Sequence, residues 1–417
     1  MNRLLAFVYL AFVWTIGIAQ DLGERVTAFA DRECYFAGES LYVRVEASAS
    51  RVAYVEIADT RRMYAQCMVT LRDGSGWAEI ALPANMHSGY YQLTAYTRAS
   101  QCAAEGFHRS LIGVINAESL SRLDDIEFVP CDSGFSVRPG LGEYVSAQFE
   151  PQQGNVPVPE IEGHIVRARV ADGTNGDVWQ TRLALIGKTT CIYDGQLQPD
   201  GTYLYYTSGI SGNLPTMVSA YDSLGHMVPM ELMSPYLAVL PQQLPRLRVS
   251  CNEETLSKLV ASAHRQTMLS QQPMVDSLSH SIGFMSVMPD YYYDLDEYTQ
   301  MNDVHEMLVE FIKGIKRQKR HGVSMLYTFD PIANRYPKWA SLVLLDGMPV
   351  HDVDEILHYD AHLIRYVQIY SGIFNFGNSC CQGVISLITR RGRLSNYKLK
   401  EGELLVAYSF PQEFRQR

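Results

Sequence analysis

SLVLLDGMPVHDVDEILHYDAHLIRYVQIYSGIFNFGNSCCQGVISLITRRG, residues Ser341–Gly392, decides how the C-terminal part of this chain is read. Ser341–Leu345 is a short apolar run. Asp346-Gly347 follows, a pair that tolerates the positive φ of a tight hairpin turn. Val353, Ile356 and Leu357 fall at helical spacing in a short segment. Ile364, Tyr366, Gln368 and Tyr370 alternate with Arg365, Val367 and Ile369, the pattern of a strand covered on at least one face. Gly372, Gly377 and Gly383 read as a loop, and Val384–Thr389 as a closing apolar strand. The sum is a small mixed α/β unit without a catalytic signature.

Upstream, Tyr291-Tyr292-Tyr293 with Asp294, Asp296 and Glu297 reads as a strand entering this unit, or as an aromatic and acidic platform for sugar or protein. Asp303 is placed to cap a helix through Ile312, with Val304, Leu308 and Phe311 or Ile312 inward. Gly314–Arg320 and Val323–Phe329 flank Lys319-Arg320-His321-Gly322 as a hairpin. In this order the pieces LVLLDGMPV (Leu342–Val350), LIRYVQIYSG (Leu363–Gly372), Gly377 and GVISLITRRG (Gly383–Gly392) resemble the plug domain of outer-membrane TonB-dependent receptors. The resemblance extends back to about Met301. It implies a binding surface among Tyr291, Tyr292, Tyr293, Asp346, Gly347, Tyr370, Phe374 and Phe376. In such receptors a large barrel follows the plug. Only 25 residues follow Gly392, whereas a spanning strand takes about 9–11 residues and the smallest bacterial barrels have about 8 strands. The expectation is a plug without its barrel.

The N-terminus, MNRLLAFVYLAFVWTIGIAQ, has a short basic start, an apolar core and small residues at Gly17 and Ala19. It reads as a signal peptide over residues 1–19, so the chain is expected to be exported, in the periplasm or associated with the outer membrane or cell surface, with no transmembrane span in the mature chain. Residues 20–117 read as one β-sandwich, from short alternating runs at Ala53–Ile57, Trp77–Leu82 and Tyr91–Tyr96 and turns at Asp73-Gly74 and Ser88-Gly89. ERVTAFADRECYFAGESLYVRV (Glu24–Val45), VAYVEI (Val52–Ile57) and SGYYQLTAYT (Ser88–Thr97) resemble the macroglobulin MG2 sandwich. The thioester tetrapeptide of protease-trapping macroglobulins is absent, so no covalent trap is implied.

Residues 118–249 read as a connector and a second sandwich region, with candidate strands Ile161–Val170, Arg182–Ile186, Gly201–Tyr206 and Met217–Tyr221. Residues 250–290 read as a helix and linker, with Leu256, Leu259, Val260 and Ala263 as its apolar stripe. Residues 291–392 form the plug-like unit and 393–417 a tail. The fold class is therefore mainly β: two or three β-sandwich domains followed by a small mixed α/β domain. The layout resembles that of a family of large exported proteins carrying both domain types.

Net charge is −10, which disfavours non-specific nucleic-acid binding. Eight cysteines without C-x-x-C or zinc spacing leave free thiols and one or two bridges both open. Gly187-Lys188-Thr189 mimics a P-loop ending, but Arg182 stands where the leading glycine belongs. His351, Asp352, Asp354, His358, Asp360 and His362 crowd one stretch that changes from helix to strand, so a solvated loop is expected rather than a metal site. No cofactor and no enzymatic activity are expected. The function implied is an accessory or scaffold protein that binds an outer-membrane barrel protein or an associated lipoprotein. The alternative is a surface glycan- or ligand-binding protein with Tyr291–Tyr293 as its platform.

Overall fold

Alternation builds the first layer. Within Ser40–Glu46, Leu41, Val43 and Val45 are buried, while the intervening side chains face outward. The computed structural model describes residues 23–116, 126–132, 135–146, 157–173, 177–187, 189–252, 254, 261, 283–320, 322–376, 379–392, 394, 396–400 and 402–413. The stretch read as a signal peptide, and most of the helix and linker read over 250–290, lie outside these residues.

The N-terminal sandwich holds β1 (Thr27–Ala30), β2 (Cys34–Phe36), β3 (Ser40–Glu46), β4 (Val52–Ala58), β5 (Met63–Thr70), β6 (Ser75–Ala81), β7 (Gly89–Tyr96) and β8 (His108–Ile115). Sheet β1-β3-β6 packs on sheet β2-β8-β7-β4-β5. Strand β4 is buried along its whole length. Ala53, Val55 and Ile57 enter the sandwich core. Val52 and Tyr54 point the other way and gather Met68, Tyr96, Phe107 and Tyr236 around them. A strand buried on both faces marks a covered sheet, and here the cover is the rest of the chain.

β9 (Ile126–Pro130) and β10 (Phe135–Pro139) follow. The second sandwich holds β11 (Ile165–Val170), β12 (Gln180–Leu185), β13 (Thr189–Asp194), β14 (Gln196–Leu197), β15 (Tyr203–Tyr206), β16 (Asn213–Tyr221) and β17 (Met230–Leu232). β18 (Leu247–Cys251) then runs between β9 and β10, and its Leu247 and Val249 pack with Phe36, Tyr90 and Ile115 of the first sandwich. The stretch read as a connector thus contributes a strand to a third, three-stranded sheet.

The last unit contains β19 (Gly283–Phe284), β20 (Tyr291–Asp294), α1 (Val304–Glu310), β21 (Ile315–Arg320), β22 (Val323–Thr328), β23 (Leu342–Leu345), β24 (Met348–Val350), α2 (Val353–Leu357), β25 (Ile364–Phe376) and β26 (Ser379–Thr389). Asp303 caps α1 by accepting the Glu306 N–H at 2.8 Å. The sheet order is β20-β25-β26-β23-β24, with β23 parallel to β26. Its core continues into the second sandwich, where Phe284 packs among Ala184, Ile192 and Met217. The protein is therefore mainly β, with several sheets forming sandwich-like domains.

Two readings change. Gly372 and Gly383 are not in a loop: they lie within the paired strands β25 and β26, while Gly377, read with them, lies outside the described residues. Gly372, at φ 102°, sits where the register shifts between Tyr370 and Ile373, so it marks a bulge. Gly383, at φ 86°, lies so close to β22 that a Cβ there would stand 1.7 Å from Thr328 Oγ1. Gly372→Ala carries only the left-handed backbone penalty, about 1–2 kcal/mol. Gly383→Ala adds overpacking of about 1–3 kcal/mol. Chemical denaturation should separate the two variants by that margin.

The tail is also not separate. β27 (Leu404–Ser409) pairs antiparallel with β16, at the edge of the sheet β19-β13-β12-β16-β27 of the second sandwich. Beyond it, Gln412 bridges the β5 edge of the first sandwich: its carbonyl accepts the Thr70 N–H at 2.9 Å and its N–H donates to Met68 O at 2.7 Å.

Candidate functional site

Strand β20 lies at the edge of its sheet, paired with β25 alone among the described residues. It forms a strand because its tyrosines suit a half-covered pleated surface and because Asp290 anchors its start by accepting the Ser371 N–H at 2.5 Å. Tyr291 and Tyr292 are exposed, Tyr292 by 53%. The Tyr292 ring stacks on Tyr366 at 5.4 Å between centroids. Tyr293 is half-buried, and its hydroxyl accepts the Lys313 N–H at 3.2 Å. Two of the three acidic neighbours are neutralised locally: Asp294 and Asp296 pair with Arg365, and Asp296 also with Arg390. The result is an aromatic edge whose outer side is unpaired among the described residues.

The remaining residues expected on this surface are elsewhere. Asp346 and Gly347, at φ 49° and 85°, form the tight turn as read, but both are buried. The Asp346 carboxylate accepts from Thr389 N and Thr389 Oγ1, each at 2.7 Å, and from Leu394 N at 2.9 Å. It tethers the turn to the end of β26. Tyr370 is buried and donates to Gln368 Oε1 at 2.8 Å. Phe376 is buried and Phe374 half-buried, both set edge-on to Phe284. These four side chains are structural, not a surface. Period-two alternation says which side chains share a face but not which face another sheet covers.

The histidine and aspartate stretch is dispersed. Asp352 caps α2 at Glu355 N and pairs with Lys400 at 2.7 Å. Asp354 accepts the Ser324 N–H, Asp360 binds His362, and His351 stacks on Tyr221 while contacting Gly225 O. Among the described residues no three potential ligands converge on one point, and no helix is long and apolar enough to cross a membrane. None of the eight cysteines is in a disulfide. Burial pushes the Cys67 and Cys381 thiols up to about 12, where they are poor nucleophiles.

Sequence reasoning missed a buried polar junction where the two sandwiches meet. Glu160 is fully buried. Its carboxylate accepts from Tyr54 Oη at 2.7 Å and Ile165 N at 2.8 Å, lies 2.9 Å from His164 Nδ1, and is 3.4 Å from Arg98 Nε. Arg98 also donates to Ile165 O at 2.7 Å. An ionised carboxylate only accepts, so His164 Nδ1 carries the proton, and Nε2 faces Tyr408 Oη of β27 at 2.8 Å. Burial alone would push the Glu160 carboxyl up. Arg98 and His164 outweigh burial and hold it below the usual range. Beside it, burial pushes the Glu56 carboxyl up despite hydrogen bonds from Gln66, Tyr96 and Ala238. The sequence signal was Tyr54 and Glu56 on the outward face of an otherwise apolar strand.

Glu160, Arg98, Tyr54 and Tyr408 come from both sandwiches and the C-terminal strand, so one ion-pair network fixes three parts of the chain. Its chemistry is that of a latch: the Glu160 carboxylate is matched by Arg98 and by hydrogen bonds from Tyr54 and Ile165.

No family model and no curated protein matches the chain. Among solved structures, native Escherichia coli alpha-2-macroglobulin is similar over 52% of this chain and 14% of its own, at 11% identity and a TM-score of 0.20. Salmonella alpha-2-macroglobulin reacted with methylamine is similar over 94% of this chain and 22% of its own, at 9% identity and a TM-score of 0.20. A pullulanase from Anoxybacillus sp. LM18-11 is similar over 49% of this chain and 25% of its own, at 12% identity and a TM-score of 0.15. The chain spans no more than a quarter of the length of each of these proteins. Likeness at these TM-scores decides nothing about activity or partner.

Proposed function

We propose that the protein is a non-enzymatic, exported scaffold that docks an outer-membrane barrel protein or a barrel-associated lipoprotein. The observation that carries this reading is the edge of β20, with Tyr291 and Tyr292 exposed beside a row of main-chain groups that no other described strand pairs. Such an edge accepts an added strand, with main-chain hydrogen bonds giving affinity and alternate side chains giving selectivity. The sandwiches, latched to each other at Glu160, act as the stiff spacer behind it. The signal-peptide reading and the plug-like order of Leu342–Val350, Leu363–Gly372 and Gly383–Gly392 support the outer-membrane setting.

Lysine on an edge strand resists strand addition. Tyr291→Lys with Tyr292→Lys is therefore expected to abolish recovery of a barrel protein or barrel lipoprotein from outer-membrane extract, while the unaltered chain recovers one. Recovery of neither by the unaltered chain would overturn the reading. A second reading, a glycan platform, draws on the Tyr292–Tyr366 stack. It predicts polysaccharide binding that Tyr292→Ala removes.

A further inference from the structure

The chain is acidic overall, yet residues 313–339 carry Lys313, Lys316, Arg317, Lys319, Arg320, Arg335 and Lys338 against Asp330 alone. These residues lie on the hairpin β21–β22 and the loop that follows it. Cross-strand pairing puts Lys316 opposite Tyr327 and Arg320 opposite Val323, on one face of the hairpin. Arg317, on the other face, binds the Ser324 hydroxyl and lies 3.8 Å from Asp354. Among the described residues, Lys316, Arg320, Arg335 and Lys338 form no ion pair. Lys316 Nζ sits 5.7 Å from the centre of the Tyr336 ring, which joins the hairpin to the loop.

That loop is built, not slack. The Asp330 carboxylate accepts the N–H groups of Ile332 and Ala333 at 2.9 and 3.0 Å, and Asp330 pairs with Arg335 main chain to main chain. Trp339 N donates to Gln382 Oε1 at 3.0 Å. The turn so fixed holds Ile332 96% exposed and Trp339 56% exposed. Tyr336 and Val323 are exposed as well.

Cations interleaved with exposed aliphatic and aromatic tips match a lipid interface. Lysine and arginine take up the anionic headgroups, while apolar side chains and tryptophan enter the boundary beneath them. A polyanion such as nucleic acid or an acidic polysaccharide would use the cations but give Ile332 nothing to bury against. The geometry points to β21–β22 and the 329–340 loop as a docking surface for an anionic phospholipid membrane.

The test is co-sedimentation of the full chain with phosphatidylcholine vesicles, with and without phosphatidylglycerol. Each variant is read against the unaltered chain, so any contribution of the apolar N-terminus cancels. The unaltered chain should favour the phosphatidylglycerol vesicles and lose that preference in high salt. Removing two charges by Lys316→Gln with Arg320→Gln should weaken binding about 25-fold, at about five-fold per cation. Ile332→Ser should weaken it about ten-fold while leaving the salt dependence in place. All three positions are exposed, so folding should be unchanged by circular dichroism. Equal binding to both vesicle types would overturn the proposal. So would loss with the charge variant but none with Ile332→Ser, the result expected of a soluble polyanion or an acidic protein.

Discussion

Glu160→Ala is expected to destabilise the protein by about 3–5 kcal/mol, because it strands the buried Arg98 guanidinium without its counter-charge. The same change unpairs Tyr54 Oη and His164 Nδ1. The effect is a property of the network, not of one bond. A double-mutant cycle with Arg98→Met should therefore give a total loss well below the sum of the single losses. The pH dependence has a definite sign. The Glu160 carboxyl titrates lower in the folded protein than in the unfolded chain, so its contribution is complete above the unfolded value of about 4.3. It is lost as pH falls through the folded value. Thermal unfolding followed from neutral pH downward should show a steep fall in acid that Glu160→Gln flattens. Glu56 acts in the opposite direction. Its folded value is raised, so its contribution is present in acid and lost as pH rises through that value.

Phe410→Ala is expected to cost about 3–5 kcal/mol, the loss typical of a buried phenylalanine. Phe410 is buried in the core of the second sandwich, just after β27. Its ring meets Tyr408 at 4.9 Å and His164 at 6.0 Å, so the vacated space opens beside the polar junction. Denaturant unfolding of this variant should show both sandwiches loosened together. The reason is that the segment after Phe410 also lies along β5 of the first sandwich through Gln412. Gln412→Pro, which removes the N–H that donates to Met68 O, should weaken the first sandwich and spare the helix-and-sheet unit.

The local elements were legible. The hairpin at Lys319–Gly322, the Asp303 cap, the Asp346-Gly347 turn and the alternating strands of both sandwiches follow from short-range chemistry that a sequence displays directly. What the sequence hid is long-range. β27 reads as a tail because its partner β16 lies far upstream, and nothing in LLVAYS names that partner. β9 reads as a connector for the same reason. Gly372 and Gly383 read as loop residues because a bulge and a close approach both demand glycine, as loops do. The candidate surface divided on burial. Tyr291 and Tyr292 stayed outside on an edge strand, whereas Tyr370 and Phe376 turned toward Phe284 and the second sandwich. Glu160 and His164 are near neighbours in sequence, but Arg98 and Tyr54 reach them only after folding, so no spacing rule finds the junction.

A photoreactive side chain placed at Tyr292 and activated in intact cells tests the docking claim most directly. The expected product is an adduct with a barrel protein or a barrel-associated lipoprotein, absent when the probe stands at the exposed Trp179 of the second sandwich. Adducts at position 179 with none at position 292 would contradict it.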